Sequence, residues 1–413
     1  MGSVPEKTPL GSSFAIQASD KKAVVGLLNN IGTLGASFSP DDNDARLKLL
    51  KEARQLVQAL ETPRETMVKH LWAQPGAVFA IAAGVESSLF KFMVENPGPK
   101  KVEELATALR FGQDVLSRLM RHLASMGYLK EVGSDEYEPT NFAKALSLPT
   151  IGDGYSCVIG GVWPTFCNFP KYLRKYGRKI SDDPTEGPLQ DIIGKDGHFF
   201  DHVKTNWPAG EFQNFMAGYG QGRASWMDAC SFPVGERLVK DVSSSPDTVF
   251  IVDIGGGIGR DLDEFCHKHP DAPGRHILQD LPHVIEQVEK VDPKIETMPY
   301  NFHTEQPVKG ARAYYMRSVL HDWTDEVCSN ILARVTAAMK PGYSKLLLNE
   351  NVIPPTGADW QTTALDMVMM TIFASRERTE EQWRNLLEPA GLRIFKIWSR
   401  GEGVESLIEC ELA

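Results

Sequence analysis

Apolar positions recur every three or four residues through the first third of the chain, which is the spacing of one helix face. The pattern predicts a helix near Lys22–Leu34 and a polar loop, SFSPDDND. A strongly periodic helix, ARLKLLKEARQLVQALE, comes next. More helices are expected from Pro63 to Val94, with a break at Pro75-Gly76, because proline lacks the amide hydrogen that a helix interior needs. KVEELATALRF and QDVLSRLMRHLASMGYL then read as two short helices, the second ending at Gly127. YLKEVGSDEYEPT follows as a hairpin turning at Gly133–Asp135. Helix, helix, hairpin is a winged-helix pattern. Residues 1 to about 20 are polar and expected to fray.

The period changes along the rest of the chain. Residues 150–240 mix helix and loop and are rich in aromatics, among them Phe199, Phe200, Phe212 and Phe215. Most of these are expected in the core, and a few against a flat apolar ligand. From Thr248 on, apolar runs of strand length (TVFIVDIG, GRHILQDL, ARAYYMRSVL, YSKLLLNENVI) alternate with helical segments. That alternation predicts a mostly parallel sheet with helices on both faces, an α/β domain. LRIFKIWSR and SLIECEL close it as an antiparallel hairpin.

Composition narrows the function classes. Of the 413 residues, 42% are hydrophobic and 24% charged, ordinary for a globular protein of two or three domains. The 44 basic and 54 acidic residues leave a net charge of −10, which opposes phosphate backbones. The second helix of the wing offers only Arg118, Arg121 and His122 as polar reach, so nucleic acid is not the expected partner. The six cysteines form neither a C-x-x-C pair nor a Cys/His cluster of zinc spacing, and no metal site is expected. MGSVPEKTPLGSSF has neither a signal-peptide nor a myristoylation pattern, and no apolar run spans a bilayer. A cytoplasmic protein without a membrane partner is the expectation.

The segment VFIVDIGGGIGR sets Asp253, Gly255, Gly257 and Gly259 directly after a strand. Glycines there allow close backbone approach to a ligand. A dinucleotide fingerprint would need a third glycine at position 260, which is Arg260. The tighter G-x-G-x-G turn suits the amino-acid end of S-adenosylmethionine (SAM). Asp280, 25 residues past Gly255, ends the next strand, where a carboxylate can bind a ribose diol. The plainer reading of Asp280 is a helix N-cap, since Pro282 follows.

DIGGGIG, LQDLPHVIEQ, MRSVLHDWTDEVCSNIL, LLNENVIP and ASRERTEEQWRNLLEPAGL occur in this order. Together they resemble the plant and fungal small-molecule O-methyltransferases, the caffeic acid type, and the fungal secondary-metabolite branch most. The resemblance runs from about Pro63 to the C-terminus. It implies a class I methyltransferase Rossmann-like fold and three regions. These are an N-terminal extension (1–60), a winged-helix dimerisation domain (61–150) and a SAM-binding domain (151–413) whose helical segment 151–240 contributes the substrate pocket. It further implies a homodimer with a small-molecule acceptor. SAM would lie on Asp253, Gly255, Gly257, Asp280, Asn301 and Phe302, with Arg317 near it. Phe215, Met216, Tyr219, Met369, Met370 and Phe373 would line the acceptor pocket; packing is the plainer reading of each. One departure is Asn301-Phe302-His303, where the family has D-F-F.

The resemblance puts a general base on His321, with Glu350 and Glu377 as its carboxylates. The chemistry agrees, since a phenol of pKa near 10 needs only modest help from a neutral imidazole. The remaining work is in-line positioning. Each glutamate is expected to accept from the ring nitrogen that does not take the proton. Two other readings share the motifs. In one, bound SAM serves as charge or scaffold for a pericyclic or cyclising reaction without methyl transfer. In the other, the chain is a winged-helix regulator that senses a ligand.

Overall fold

A computed structural model of the chain describes residues 11–413 except 182, 208, 209, 229, 244 and 246. It divides into two compact units, residues up to 156 and residues 157–413.

In the first unit the segment Ser12–Ile16 forms a 3-10 turn, and helices span Ala23–Ala36 and Asn43–Leu60. Residues 11–20 are better tied than polarity suggested. Ser19 and Asp20 donate backbone N–H groups to the carbonyls of Glu61 (3.1 Å) and Ala59 (3.0 Å). Residues 1–10 lie outside the described part. Pro63, capped by a Thr62/Glu65 box, starts a helical run that continues to Glu86 through Pro75 rather than stopping there. A π-turn, Lys69–Ala73, precedes that proline and absorbs its missing donor and its ring. The break comes instead at Ser88, in left-handed conformation (φ 60°), where the next helix, Leu89–Glu95, leaves at 63°. Helices Val102–Leu109 and Gln113–Ser125 pack with a sheet of β1 (Lys100–Lys101), β3 (Glu136–Pro139) and β2 (Leu129–Gly133), in that order. The wing therefore carries one strand more than the hairpin expected. Leu105, Leu116, Met120, Leu123 and Tyr137 fill its core.

The second unit carries a seven-stranded sheet. Its strands are β4 (Val249–Ile254), β5 (Arg275–Asp280), β6 (Ile295–Pro299), β7 (Ala313–Arg317), β8 (Lys345–Glu350), β11 (Leu392–Trp398) and β12 (Ser406–Leu412). Two short strands, β9 (Val352–Ile353) and β10 (Arg378–Thr379), pair in parallel beside it. The order is β11-β12-β8-β7-β4-β5-β6, parallel except for β12, which runs antiparallel to both neighbours. This is the class I methyltransferase arrangement. Val252, Ile254, Tyr314, Met316, Leu346 and Leu348 build one face of the core; Phe250, Ile251, Tyr315 and Leu347 build the other. The chain winds outward from β4 to β6 and returns to β7, so the switch point opens between β4 and β7 at the C-terminal edge, where ligands of such sheets bind. No single helix among the described residues is long and apolar enough to cross a membrane.

His276 on β5 is buried between Phe250 (5.6 Å) and Phe265 (5.9 Å). Burial, helped by Lys294, holds its pKa below the ordinary 6.5. The unfolded chain therefore binds a proton that the folded chain refuses. The folded state is undiminished above the unfolded pKa and loses stability as pH falls below it. His276→Phe should flatten the acid limb of the melting temperature, measured between about pH 5 and 7.5. A variant with the wild-type pH dependence would show that this ring does not titrate on unfolding.

Candidate active site

The C-terminal ends of β4, β5, β6, β7 and β8 all contribute. After β4 the chain turns through Gly255 (φ 72°) and Gly257 (φ 61°), conformations that disfavour a side chain. A Cβ on Gly255 would come within 3.0 Å of Val319 and 3.9 Å of Phe302, whereas one on Gly257 would meet nothing within 4 Å. The loop is thus pressed against its neighbours on one side and open on the other. Gly255 N donates to the Gln279 carbonyl (2.8 Å) and Gly257 N to Asp280 Oδ2 (2.8 Å). Asp280 Oδ1 accepts from Leu281 N (2.7 Å). The short helix Pro282–Ile285 has no side-chain cap, so Asp280 braces the loop rather than the helix. Burial raises its pKa. Asp253 is buried beneath with Oδ2 unpartnered among the described residues, and burial, then Asp261 and Asp280, push its pKa well above the usual range.

Beyond β6, Asn301 Oδ1 accepts from His303 N (3.0 Å), closing a small turn. The Phe302 and His303 rings meet Trp323 edge-on, at 6.0 and 5.0 Å between centroids. Arg317, at the end of β7, donates to Asp261 Oδ1 (2.7 Å), and Tyr315 donates to Asp261 Oδ2 (2.6 Å). Asp261 begins the helix Arg260–Lys268 and was not visible as a site residue. Its ion pair neutralises Arg317.

His321 lies in a one-turn 3-10 helix, Leu320–Asp322, and is buried. Its Nδ1 bonds Glu377 Oε1 at 2.7 Å. Glu350 has a different role from the one expected. Its Oε1 accepts from Val319 N (3.0 Å) and Leu320 N (2.9 Å), fixing the start of the turn. The fully buried Arg378 fixes the turn's end. It donates to the carbonyls of Leu320 and Trp323 (2.9 Å each) and, through Nε and Nη2, to Asp325 Oδ1 (2.9 and 2.7 Å). Arg378 and Val352 are register partners in the β9–β10 pair, so Glu377 and Glu350 come from paired segments. Arg378 stands inside the ERTEEQW block, but nothing in its pattern distinguishes a clamp from a surface charge. Only its burial reveals it.

The electrostatics reverse one expectation. Burial alone would strip the proton from His321. Asp322, 3.4 Å from Nε2, then Glu350 and Glu377 overcome it and hold its pKa up at about 10. The ring is therefore imidazolium at neutral pH, not the neutral imidazole assumed from its ordinary value. Burial also raises Asp322 to about 6 and Glu350 to about 7, both against the pull of His321. No metal site was expected, yet His321, Glu350 and Glu377 bring potential ligand atoms within 4.8 Å of one another. A metal there would displace the His321–Glu377 bond that orients the ring.

Helix Trp360–Phe373 adjoins this turn, and Asp366 Oδ1 accepts from Glu377 N (2.8 Å). Phe373 joins Phe199, Phe200 and Phe212 in an aromatic cluster, with centroids 5.3 to 6.4 Å apart. Phe215, Tyr219, Met370 and Phe373 are half-buried and Met216 is exposed, whereas Met369 is buried in the packing of its helix.

A family model described as an O-methyltransferase domain matches residues 226–393. The O-methyltransferase mfmE of Annulohypoxylon moriforme is 35% identical over 96% of this chain and 97% of its own. Solved structures described as LepI in complex with SAM and as a pericyclic reaction enzyme each superpose with a TM-score of 0.84. Both are 29% identical and cover 95% of this chain and 99% of theirs. With near-full-length identity at this level, the chain belongs to the fungal secondary-metabolite O-methyltransferases and is a SAM-dependent O-methyltransferase.

Proposed function

We propose that the protein methylates a hydroxyl of a small secondary metabolite, aromatic or polyketide-type, with His321 as general base. The observation that carries this reading is the 2.7 Å bond from His321 Nδ1 to Glu377, which leaves Nε2 as the nitrogen that exchanges a proton with the acceptor. The residues fit SAM. The open side of Gly257 is a cradle that a side chain would fill, and the unpartnered Asp253 oxygen and the Asp280 carboxylate suit its ammonium and ribose. Asn301 and Phe302 would flank the base, and Arg317 the amino-acid end. When bound, SAM supplies a methyl group on a sulfonium, an electrophile with an excellent leaving group.

The residues of the chain do the rest. A base whose conjugate acid is held well above the ordinary histidine value comes closer to a phenol of pKa about 10, which eases proton transfer between them. Asp322 beside Nε2 stabilises the imidazolium that results. Phe215, Met216, Tyr219, Met370 and Phe373 line the acceptor side in this reading; Met369, buried, is packing. A second reading, in which bound SAM acts as charge or scaffold for a cyclising reaction, draws on the likeness to a pericyclic reaction enzyme.

We further propose a homodimer built by the first unit. Helix Ala23–Ala36, AVVGLLNNIGTLGA, buries none of its residues in the single chain, and Trp72 is 71% exposed. Apolar faces of this size point to a second copy as their cover. A cytosolic location suits six cysteines that form no disulfide among the described residues.

Light scattering at micromolar concentration should give about twice the 45.8 kDa chain mass. A fully active monomer would contradict the dimer. In calorimetry Asp280→Ala should lose most SAM affinity, since the ribose hydrogen bonds vanish; an unchanged constant would remove Asp280 from the site. His321→Ala should keep SAM affinity while turnover drops roughly a hundredfold or more. The wild-type rate should climb with pH above neutrality and level near the His321 value of about 10, because only the deprotonated ring accepts a proton. Chelators should leave it unchanged. The deciding measurement is stoichiometric release of S-adenosylhomocysteine, and product formation without it would transfer the assignment to the cyclising reading.

A further inference from the structure

Arg223 is a cation at the reacting edge that neither SAM binding nor proton transfer, as derived above, requires. It follows the helix Glu211–Gly220, and its Nη1 donates to both carboxylate oxygens of Glu405, each at 3.0 Å. Its guanidinium also lies over the Tyr219 ring, 4.0 Å from the centroid. Both charges are largely shielded, with side-chain exposures of 14% and 6%. Glu405 immediately precedes β12, whose first residue, Ser406, pairs with Glu350. The pair therefore joins a helical segment to the strand end beside the catalytic carboxylates, across 182 residues of sequence.

Two further contacts place that segment at the reaction edge. A Cβ on Gly220 would lie 3.0 Å from Arg317 Nη2, so the helix end is packed against the arginine that precedes the catalytic turn. The charges of Glu405 and Glu377 both act on the Tyr219 hydroxyl, whose pKa is raised, first by burial. A largely buried ion pair is a poor device for stability, because desolvation consumes most of its Coulomb gain. It is a good device for fixing one geometry, because a two-oxygen contact and a ring stack together set both distance and direction.

We propose that Arg223 and Glu405 are a positioning pair that holds the 211–223 segment, and Tyr219 with it, against the catalytic edge, so that acceptor binding depends on them. The inference rests on reading Tyr219 as part of the acceptor pocket. Neither residue touches the reacting atoms.

Two measurements test it, with Glu405→Gln, Arg223→Met and the double variant. Hydrogen exchange followed by mass spectrometry needs no acceptor. Each single variant should speed exchange of the amides in 214–223 about tenfold or more, while peptides from β7 and β8 stay at the wild-type rate. With 1,3-dihydroxynaphthalene as acceptor probe, KM should rise about tenfold, with kcat and SAM affinity changed less than about threefold. The double variant should be no worse than either single one, because two residues that act as one unit are not additive. It also leaves no orphan charge, so it serves where a single variant fails to fold.

Unchanged exchange would overturn the pair's holding role. Faster exchange with an unchanged KM would reduce it to a stability device, and multiplying effects would mean that Arg223 acts on its own. If the wild type does not methylate the naphthol, that failure falls on the methyltransferase or acceptor reading, and the exchange result alone decides the pair.

Discussion

The buried bond between His321 Nδ1 and Glu377 is the constraint on which the rest of the second unit depends. An imidazole in an apolar interior loses its charge unless something compensates, and a carboxylate there gains a proton for the same reason. Here Asp322, Glu350 and Glu377 together carry the balance far enough that the ring keeps its proton at neutral pH. The geometry must therefore be held firmly, since a carboxylate that swung away would leave an unpaired buried charge costing about 3–5 kcal/mol. Glu350 holds the front of the turn, Arg378 holds its back, and the short β9–β10 pair sets the two acids in register.

That turn is reached by topology. Parallel strands end on one edge, and the return from β6 to β7 leaves a gap beside β4 into which the glycine loop opens. Asp280 closes one side of the loop through Gly257 N, and Asp261 ties the following helix to Arg317 and Tyr315 on β7. The glycine-loop edge and the strand that leads into the His321 turn are thus cross-linked by side chains.

The sheet, its closing hairpin and the glycine turn after β4 were legible in the sequence because each is a local signal, a period or a turn chemistry. Asp280, His321, Glu350 and Glu377 were singled out by the motifs that carry the family resemblance, and Glu350 then took a different contact from the one expected. What was not legible acts across the fold. Arg378 works through backbone carbonyls 55 and 58 residues away, and Glu405 through an arginine 182 residues away. No spacing rule marks such partners. Pro75 misled for the opposite reason. The local rule says that a proline ends a helix, and a π-turn just before it satisfies the rule without ending the run. His321 shows the same limit in electrostatics. Its residue type implies a neutral ring at neutral pH, and only the three surrounding carboxylates, brought in by tertiary structure, change that.

The way the acceptor side is attached explains how one fold can serve more than one chemistry. The strands that hold the glycine loop, Asp280 and the catalytic turn are bound to one another by ladders of backbone hydrogen bonds, which tolerate little change. Helices Phe199–Asn206, Glu211–Gly220 and Trp360–Phe373 meet each other and the edge through aromatic contacts and the Arg223–Glu405 pair. Side-chain contacts of that kind can be rebuilt residue by residue without disturbing a strand. The surface these helices present can therefore drift while the strand edge stays fixed. A TM-score of 0.84 to a pericyclic reaction enzyme is then no contradiction in an O-methyltransferase family. The likeness covers 95% of this chain, so the fold is shared almost throughout, and a fold shared that far does not by itself fix the reaction.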